Sequence, residues 1–259
     1  MKSISLIRLV AVFTLLSLSG CASLDKVFSE STPQVEQSTK TAPSSATVSS
    51  DVVPIKVDPM QQRITELRAK PNLYLSGQPP VDASSQSLFE QALQANKDGN
   101  PDIAAQLFVT LTQTQPKLSG PWLQLGNLKM QEFADLTSDQ FEQKHNLLNE
   151  AKVLFEKATD VNQHNYYAHN RLATVLRELG EFAQAERHYH HAIASWPAYD
   201  NSYLNLGILY DLYMGKKPQA LEYYELYQAL QDKPGRQVRG WIADLKRQLT
   251  SRAAQEETQ

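Results

Sequence analysis

The chain has 259 residues, of which 41% are hydrophobic and 20% are charged, and its formal net charge is −3. These values exclude a wholly disordered chain, a membrane-embedded helical bundle and a nucleic-acid binder that depends on phosphate contacts. The single cysteine excludes an internal disulfide and any zinc or iron–sulfur site that needs several thiolates.

Residues 1–20 are predicted to be a secretory signal peptide rather than a fold element. Lys2 and Arg8 precede an apolar run at 9–18 (LVAVFTLLSL). A basic segment followed by about ten apolar residues is typical of a secretory signal and is too short to span a bilayer permanently.

The next residues indicate which kind of signal peptide this is. Leu18-Ser19-Gly20-Cys21 resembles the lipobox of bacterial lipoproteins, and this resemblance implies cleavage before Cys21 and its acylation, for example with palmitate. Ala22 and Ser23 stand where an aspartate would favour retention in the inner membrane, so the resemblance implies an anchor in the outer membrane on its periplasmic face. An ordinary cleaved signal with a chance cysteine is the alternative.

Residues 21–57 are predicted to contain the lipidated cysteine and a disordered tether, since they are rich in Ser, Thr, Pro, Gln and Val and contain one aromatic residue, Phe28. Residues 58–84 form a lead-in. Asp58 and Pro59 are suited to begin a short helix, and Pro71 follows it. The apolar stripe of this helix is formed by Met60, Ile64 and Leu67. The segment 71–80 (PNLYLSGQPP) is predicted to be irregular.

Residues 85–233 contain a repeated pattern with a period of 34 residues. A small residue followed four positions later by an aromatic one recurs at Ala104/Phe108, Ala151/Phe155, Ala185/Tyr189 and Ala220/Tyr224. A second small residue precedes each pair in the chain. In order, these four residues are Ala92, Gly126, Ala173 and Gly207. This pattern resembles the tetratricopeptide repeat (TPR) family. The resemblance implies an all-α, right-handed superhelical solenoid of about four helix–turn–helix units, near 85–118, 119–165, 166–199 and 200–233.

Two departures from the 34-residue period are expected to be absorbed locally. An insertion at about 133–146 lies between the two helices of the second unit and is predicted to lengthen both, with Thr137 and Gln140 forming a capping box. The aromatic pair of the fourth unit is displaced by one residue, which we expect the Met214–Gly215 turn to absorb.

The end of the chain is predicted to close the solenoid with a capping helix at 234–252, followed by a frayed tail at 253–259. The helix is amphipathic, and its apolar stripe is formed by Val238, Trp241, Ile242, Leu245 and Leu249.

No catalytic constellation is found, so we expect no enzyme activity, no cofactor and no metal site. His188 and His191 share a helical face, and a solvated helix surface explains them without a ligand. The alternative from another functional class is a metal-assisted hydrolase, which needs a third ligand to converge on these two histidines.

The remaining candidate site is the groove that the first helices of TPR units line in this family. The resemblance assigns this peptide-binding groove to Phe89, Leu93, Asn96, Leu123, Asn127, Met130, Tyr167, Asn170, Arg177, Asn201, Leu204 and Asp211. Apolar side chains mixed with amides suit an extended or helical protein segment. Some of the apolar ones are equally consistent with packing against neighbouring helices. The lysines by which chaperone-binding members of the family grip a terminal carboxylate are missing from the corresponding positions.

These features together predict a lipid-anchored adaptor that binds protein or peptide segments in the periplasm and helps to assemble a cell-envelope complex. In plan the chain is similar to lipoproteins of type IV pilus or secretin assembly, to adaptors of peptidoglycan hydrolases, and to TPR lipoproteins associated with gliding motility or energised transport. A structural spacer that binds only through its ends is the alternative within the class of interaction proteins.

Overall fold

The computed structural model describes residues 58–233 and 235–256. The signal peptide, Cys21 and the tether predicted for 1–57 lie outside the described residues, as do residues 257–259. In chain order the helices are α1 (Pro59–Ala69), α2 (Leu73–Ser76), α3 (Ala83–Lys97), α4 (Pro101–Thr114), α5 (Ser119–Asp135), α6 (Phe141–Val161), α7 (Tyr166–Glu178), α8 (Phe182–Ser195), α9 (Asp200–Ile208) with a π-helical extension (Leu209–Tyr213), α10 (Lys217–Leu230) and α11 (Arg236–Glu256). None of these helices is long and apolar enough to cross a bilayer.

Helices α3 to α10 form four consecutive hairpins, and the second helix of each hairpin packs against the first helix of the next. Glycines with positive φ lie in three of the hairpin turns, at Gly99 (80°), Gly180 (80°) and Gly215 (64°). A residue with a Cβ is strained in this left-handed conformation, so glycine allows the chain to reverse here. The predicted all-α solenoid of about four helix–turn–helix units is confirmed.

In the second and fourth hairpins the two helices approach closely where a glycine meets an aromatic ring. A Cβ added to Gly126 would lie 2.5 Å from Cε1 of Phe155, and one added to Gly207 would lie 2.6 Å from the Tyr224 ring. Both aromatic side chains are almost completely buried. Glycine is therefore required in the second and fourth hairpins because the ring occupies the place of a methyl group.

The extra residue of the fourth repeat is not absorbed in the Met214–Gly215 turn, so that expectation was wrong. It lies in the π-helical segment Leu209–Tyr213, where the N–H of Met214 donates to the carbonyl of Leu209, five residues earlier. A π turn takes in one residue by widening the helix. The hairpin turn keeps its usual length, and Gly207 stays opposite Tyr224.

The insertion lengthens both helices of the second hairpin, as predicted: α5 has 17 residues and α6 has 21, against 13 and 14 in α7 and α8. The capping box is only partly present. Oε1 of Gln140 accepts from the N–H of Thr137 at 2.9 Å, but α6 begins at Phe141, so Thr137 belongs to the turn before the helix. The side chain of Phe141 is 76% exposed at this projecting end.

The lead-in contains the expected helix α1, for which Asp58 accepts a hydrogen bond from the N–H of Met60 at 3.1 Å. The segment 71–80 is not wholly irregular, because Oδ1 of Asn72 caps the single turn of α2 by accepting from two backbone N–H groups. The ring of Tyr74 on α2 packs edge-on against Tyr166 at a centroid distance of 5.9 Å.

Helix α1 packs against the last repeat rather than the first. Ile64 is 2% exposed and contacts Leu226 and Leu230 of α10. From there the lead-in passes α2 at the third repeat and enters α3, so it runs along the solenoid in the opposite direction to the repeats. Burial of a side chain such as Ile64 contributes roughly 1.5–3 kcal/mol.

Helix α11 covers the end of the solenoid by packing against α10, with Val238, Ile242 and Leu245 buried and Trp241 beside Tyr224. The helix continues to Glu256, four residues beyond the predicted end at 252. Nε of Arg252 donates to the carboxylate of Glu256 at 2.8 Å, an i,i+4 pair that supports the last turn.

We predict that Gly207→Ala lowers the free energy of unfolding by about 1–3 kcal/mol, because the added methyl group must displace the ring of Tyr224. Gly240→Ala is the matched control, since nothing lies within 4 Å of its added Cβ and it is inside α11. This control should gain roughly 0.5–1 kcal/mol from helix propensity. Urea unfolding followed by circular dichroism measures both, and an unchanged midpoint for Gly207→Ala would contradict the close approach.

Candidate functional site

The predicted groove residues lie on the first helices of the hairpins, α3, α5, α7 and α9 with its π-helical extension. The structure divides them into two groups. The side chains that are partly accessible are Phe89, Leu93, Asn96, Asn127, Tyr167, Asn201 and Asp211. The side chains that are buried by the chain's own helices are Leu123, Met130, Asn170, Arg177 and Leu204. The surface open to a partner is therefore narrower than the sequence predicts.

Asn170 shows why a residue at a groove position can be unavailable. Its Oδ1 accepts from Nδ2 of Asn205 at 3.1 Å and from Oγ of Ser202 at 3.4 Å, and all three residues are buried. These bonds join α7 to α9. The amide is therefore part of the packing between repeats, because a buried polar group needs a hydrogen-bond partner. Its sequence position alone does not separate this role from peptide binding.

Arg177 is the buried charge of the groove. Its Nε and Nη2 donate to Oε1 of Glu178 at 3.3 and 2.9 Å, and its guanidinium lies 5.5 Å from the centre of the Tyr213 ring. Burial by itself would lower the pKa of Arg177, but Tyr189 and Glu178 raise it above its usual value, so the side chain stays charged. Among the described residues, its Nη1 is the buried side-chain nitrogen that has no hydrogen-bond partner.

Four of the seven partly accessible groove residues lie on the first two hairpins, three of them on α3 and one on α5. Leu93, Asn96 and Asn127 are partly exposed there, next to the longer hairpin that the insertion creates. The ring of Phe89 packs edge-on against Phe108 at 5.4 Å, so only part of it is available. At the other end, partial burial raises the pKa of the Asp211 carboxyl. The arrangement offers apolar surface and amides rather than acid–base chemistry.

The histidines form a cluster that the sequence does not reveal, because its centre is His169 on α7. Nε2 of His169 lies 2.9 Å from the carbonyl of Gln163, and its Nδ1 lies 3.0 Å from Nδ1 of His188. A carbonyl only accepts, so Nε2 of His169 carries the proton and His188 donates from Nδ1. The His191 ring stacks on His169 at 5.2 Å. The solvated surface predicted for His188 was therefore wrong, since this ring is half-buried and hydrogen-bonded.

This geometry does not favour the metal-assisted hydrolase. Both ring nitrogens of His169 are engaged, which leaves His188 and His191 without the third ligand that the hypothesis needs. Within residues 58–233 and 235–256, no group of three or more His, Cys, Asp and Glu residues is placed to hold a metal ion.

The histidine cluster predicts a pH-dependent stability. Burial lowers the pKa of His169 and of His188 to about 4, from 6.5. Between these values the unfolded chain binds more protons than the folded chain, so stability is complete above about pH 6.5 and is lost as the pH falls towards 4. Urea midpoints at several pH values should show a weaker dependence in His188→Gln than in the wild type. His145→Gln, a change at an exposed histidine of α6, is the control and should keep the wild-type slope. Equal slopes for all three proteins would refute the coupling.

Comparisons with known proteins agree with the fold. A family model described as a tetratricopeptide repeat matches residues 166–233, which span the third and fourth hairpins. No curated protein matches the chain in sequence.

Solved structures with the same fold cover most of the described residues. A thermophilic TPR protein of Thermus thermophilus is 23% identical, with 71% of this chain and 98% of that chain covered and a TM-score of 0.51. The pilF protein of Pseudomonas aeruginosa is 21% identical, with 64% and 69% covered and a TM-score of 0.52. MamA of Desulfovibrio magneticus RS-1 is 15% identical, with 69% and 94% covered and a TM-score of 0.52. The described part of this chain therefore has a TPR-like solenoid fold, and its last two hairpins also carry the sequence signature of the repeat.

Proposed function

We propose that the protein is an interaction scaffold that binds a segment of another protein along the first helices of its repeats. The observation that carries this proposal is the partly exposed row on α3 and α5, formed by Asn96, Asn127 and the part of Leu93 that does not pack against the core of the first hairpin. Apolar side chains can bury those of a partner, while amides can bond its backbone. Held on rigid helices, these groups lose little conformational entropy on binding.

The proposed partner is an extended or helical segment rather than a folded ligand with a strong charge. The accessible groove positions of α3 and α5 carry no charged side chain, and Arg177 is buried with Glu178 beside it. Burial of Asn170, Arg177 and Leu204 also gives the spacer alternative specific support, since half of the predicted groove positions on the third and fourth hairpins are filled by the chain's own packing. A partner that contacts α3 and α5 indicates the groove-binding scaffold, whereas a partner that contacts only the ends of the solenoid indicates the spacer.

We also propose that the scaffold works at the periplasmic face of the outer membrane, anchored through acylated Cys21. Support comes from the sequence: Lys2 and Arg8, the apolar run at 9–18, and a cysteine preceded by small residues. Several acyl chains on one residue give effectively stable anchoring. In this setting the scaffold would help to assemble a cell-envelope complex of the pilus, secretion, motility or cell-wall machinery.

Groove binding predicts site-specific crosslinking in intact cells. A photo-crosslinking amino acid in place of Leu93 or Asn127 should form a discrete adduct with one protein, because both positions lie in the accessible row. The same amino acid in place of Val153, which is 53% exposed on the second helix α6, is the control and should form no such adduct. Mass spectrometry identifies the partner. A partner that crosslinks only at the two ends of the solenoid, and never through the row, would support the spacer instead.

Anchoring predicts that Cys21→Ser removes the acylation site. Metabolic labelling with an alkyne analogue of palmitate should mark the wild type and not this variant, since the acylated thiol is absent. Ser19→Ala keeps a small residue before the cysteine and should still be labelled. A wild-type protein that takes up no label would contradict the lipid anchor without affecting the groove.

A further inference from the structure

Helix α1 packs on a surface of the last two hairpins, which we call its seat. This surface already has the shape and composition needed to bind a helix. Ile64 inserts between Leu226 and Leu230 of α10 and Tyr203 of α9. Around this contact, the partly buried side chains of the seat are Ile193, Tyr223, Tyr227 and Ala229. Tyrosine and aliphatic side chains of this kind are typical of surfaces that receive a partner's helix.

Polar groups fix the direction of α1 on this seat. Nη1 of Arg63 lies 3.0 Å from Oε1 of Glu222, and Nη2 of Arg68 donates to the carbonyl of Leu230 at 2.8 Å. The second bond satisfies a carbonyl in the last turn of α10, which has no partner within its own helix. Since Arg63 lies near Glu222 and Arg68 near Leu230, α1 runs parallel to α10.

The attachment of α1 is weak compared with the packing between repeats. Of its eleven residues only Ile64 is buried, while Met60 and Leu67 are partly exposed. Arg63 and Glu222 are half-exposed, and ion pairs at such sites contribute little. The loop at 77–82 that leads into α3 is mostly exposed. Elements with few buried contacts open at lower free energy than the core, so α1 can leave its seat while the repeats stay folded.

We propose that this seat is a second docking surface, occupied by α1 in the resting chain and by an amphipathic partner helix when α1 is displaced. The partner helix has the chemistry of α1: apolar side chains at the spacing of Met60, Ile64 and Leu67, and basic side chains placed like Arg63 and Arg68. The basic groups meet Glu222 and the free carbonyl end of α10. This surface is formed mainly by α10, with Ile193 from α8 and Tyr203 from α9 at its edge. None of these residues belongs to the predicted groove, so the surface extends the proposed function.

Hydrogen exchange of the full wild-type chain tests whether α1 detaches. Amides of α1 should exchange at least tenfold faster than those of α8 and α10, because α1 opens without unfolding the hairpins. Equal protection in α1 and α10 would overturn the proposal, since the seat would then never be free.

Peptide binding tests the seat itself. The probe is a fluorescent peptide with the sequence of residues 58–70, and anisotropy measures its binding to full-chain variants. Ile64→Asp removes the buried anchor of α1 and should bind the peptide at least tenfold more tightly than the wild type, whose own helix competes. Thr65→Asp changes an exposed neighbour and should behave like the wild type. The same peptide carrying Ile64→Asp should bind none of the proteins.

Three results would overturn the assignment. The peptide binds Ile64→Asp no better than the wild type; Ile64→Asp loses the helical circular dichroism of the hairpins, which would make α1 an integral part of the fold; or wild-type chains sediment as dimers that exchange α1, which would make a second copy the occupant.

Discussion

The stacking of the repeats is set by how closely the two helices of a hairpin approach each other. An aromatic ring fills the space where Gly126 or Gly207 would otherwise carry a methyl group, and this contact sets how the two helices cross. Each hairpin then presents a fixed surface to the next, so the stack can grow by repetition. The π-helical segment Leu209–Tyr213 follows from the same constraint, because it takes up an extra residue without moving Gly207 away from Tyr224.

The repeats could be predicted from sequence because their determinants are local and periodic. Small and aromatic residues at fixed spacing, glycines in the hairpin turns and the apolar stripe of α11 all lie within one hairpin or its neighbour. The packing of α1 on α10 could not be predicted, since Arg63 and Glu222 are 159 residues apart and neither segment carries a sequence signal for its contact with the other. The π-helical segment was also missed, because a one-residue insertion fits a turn and a widened helix equally well on spacing alone.

The sequence predicted which helices carry the groove residues, but not which of their side chains are accessible to a partner. Family spacing places Asn127 and Asn170 at groove positions of α5 and α7, yet only Asn127 is partly accessible, whereas Asn170 bonds to Asn205. Which amide faces a partner depends on the neighbouring repeat, and that information is 35 residues away. His169 was missed for a related reason: its partners come from α8 and from Gln163, so its role appears only when the two helices are packed.

The proposed function requires that α3 and α5 keep Asn127 and its neighbours accessible to another protein. Maleimide labelling of a cysteine introduced by Asn127→Cys tests it most directly, with Val153→Cys on the exposed side of α6 as reference. We expect fast labelling at both positions in the purified protein, and labelling slowed at least threefold at position 127 alone in intact cells, where the partner is present. An unchanged ratio between the two positions in purified protein and in cells would contradict it.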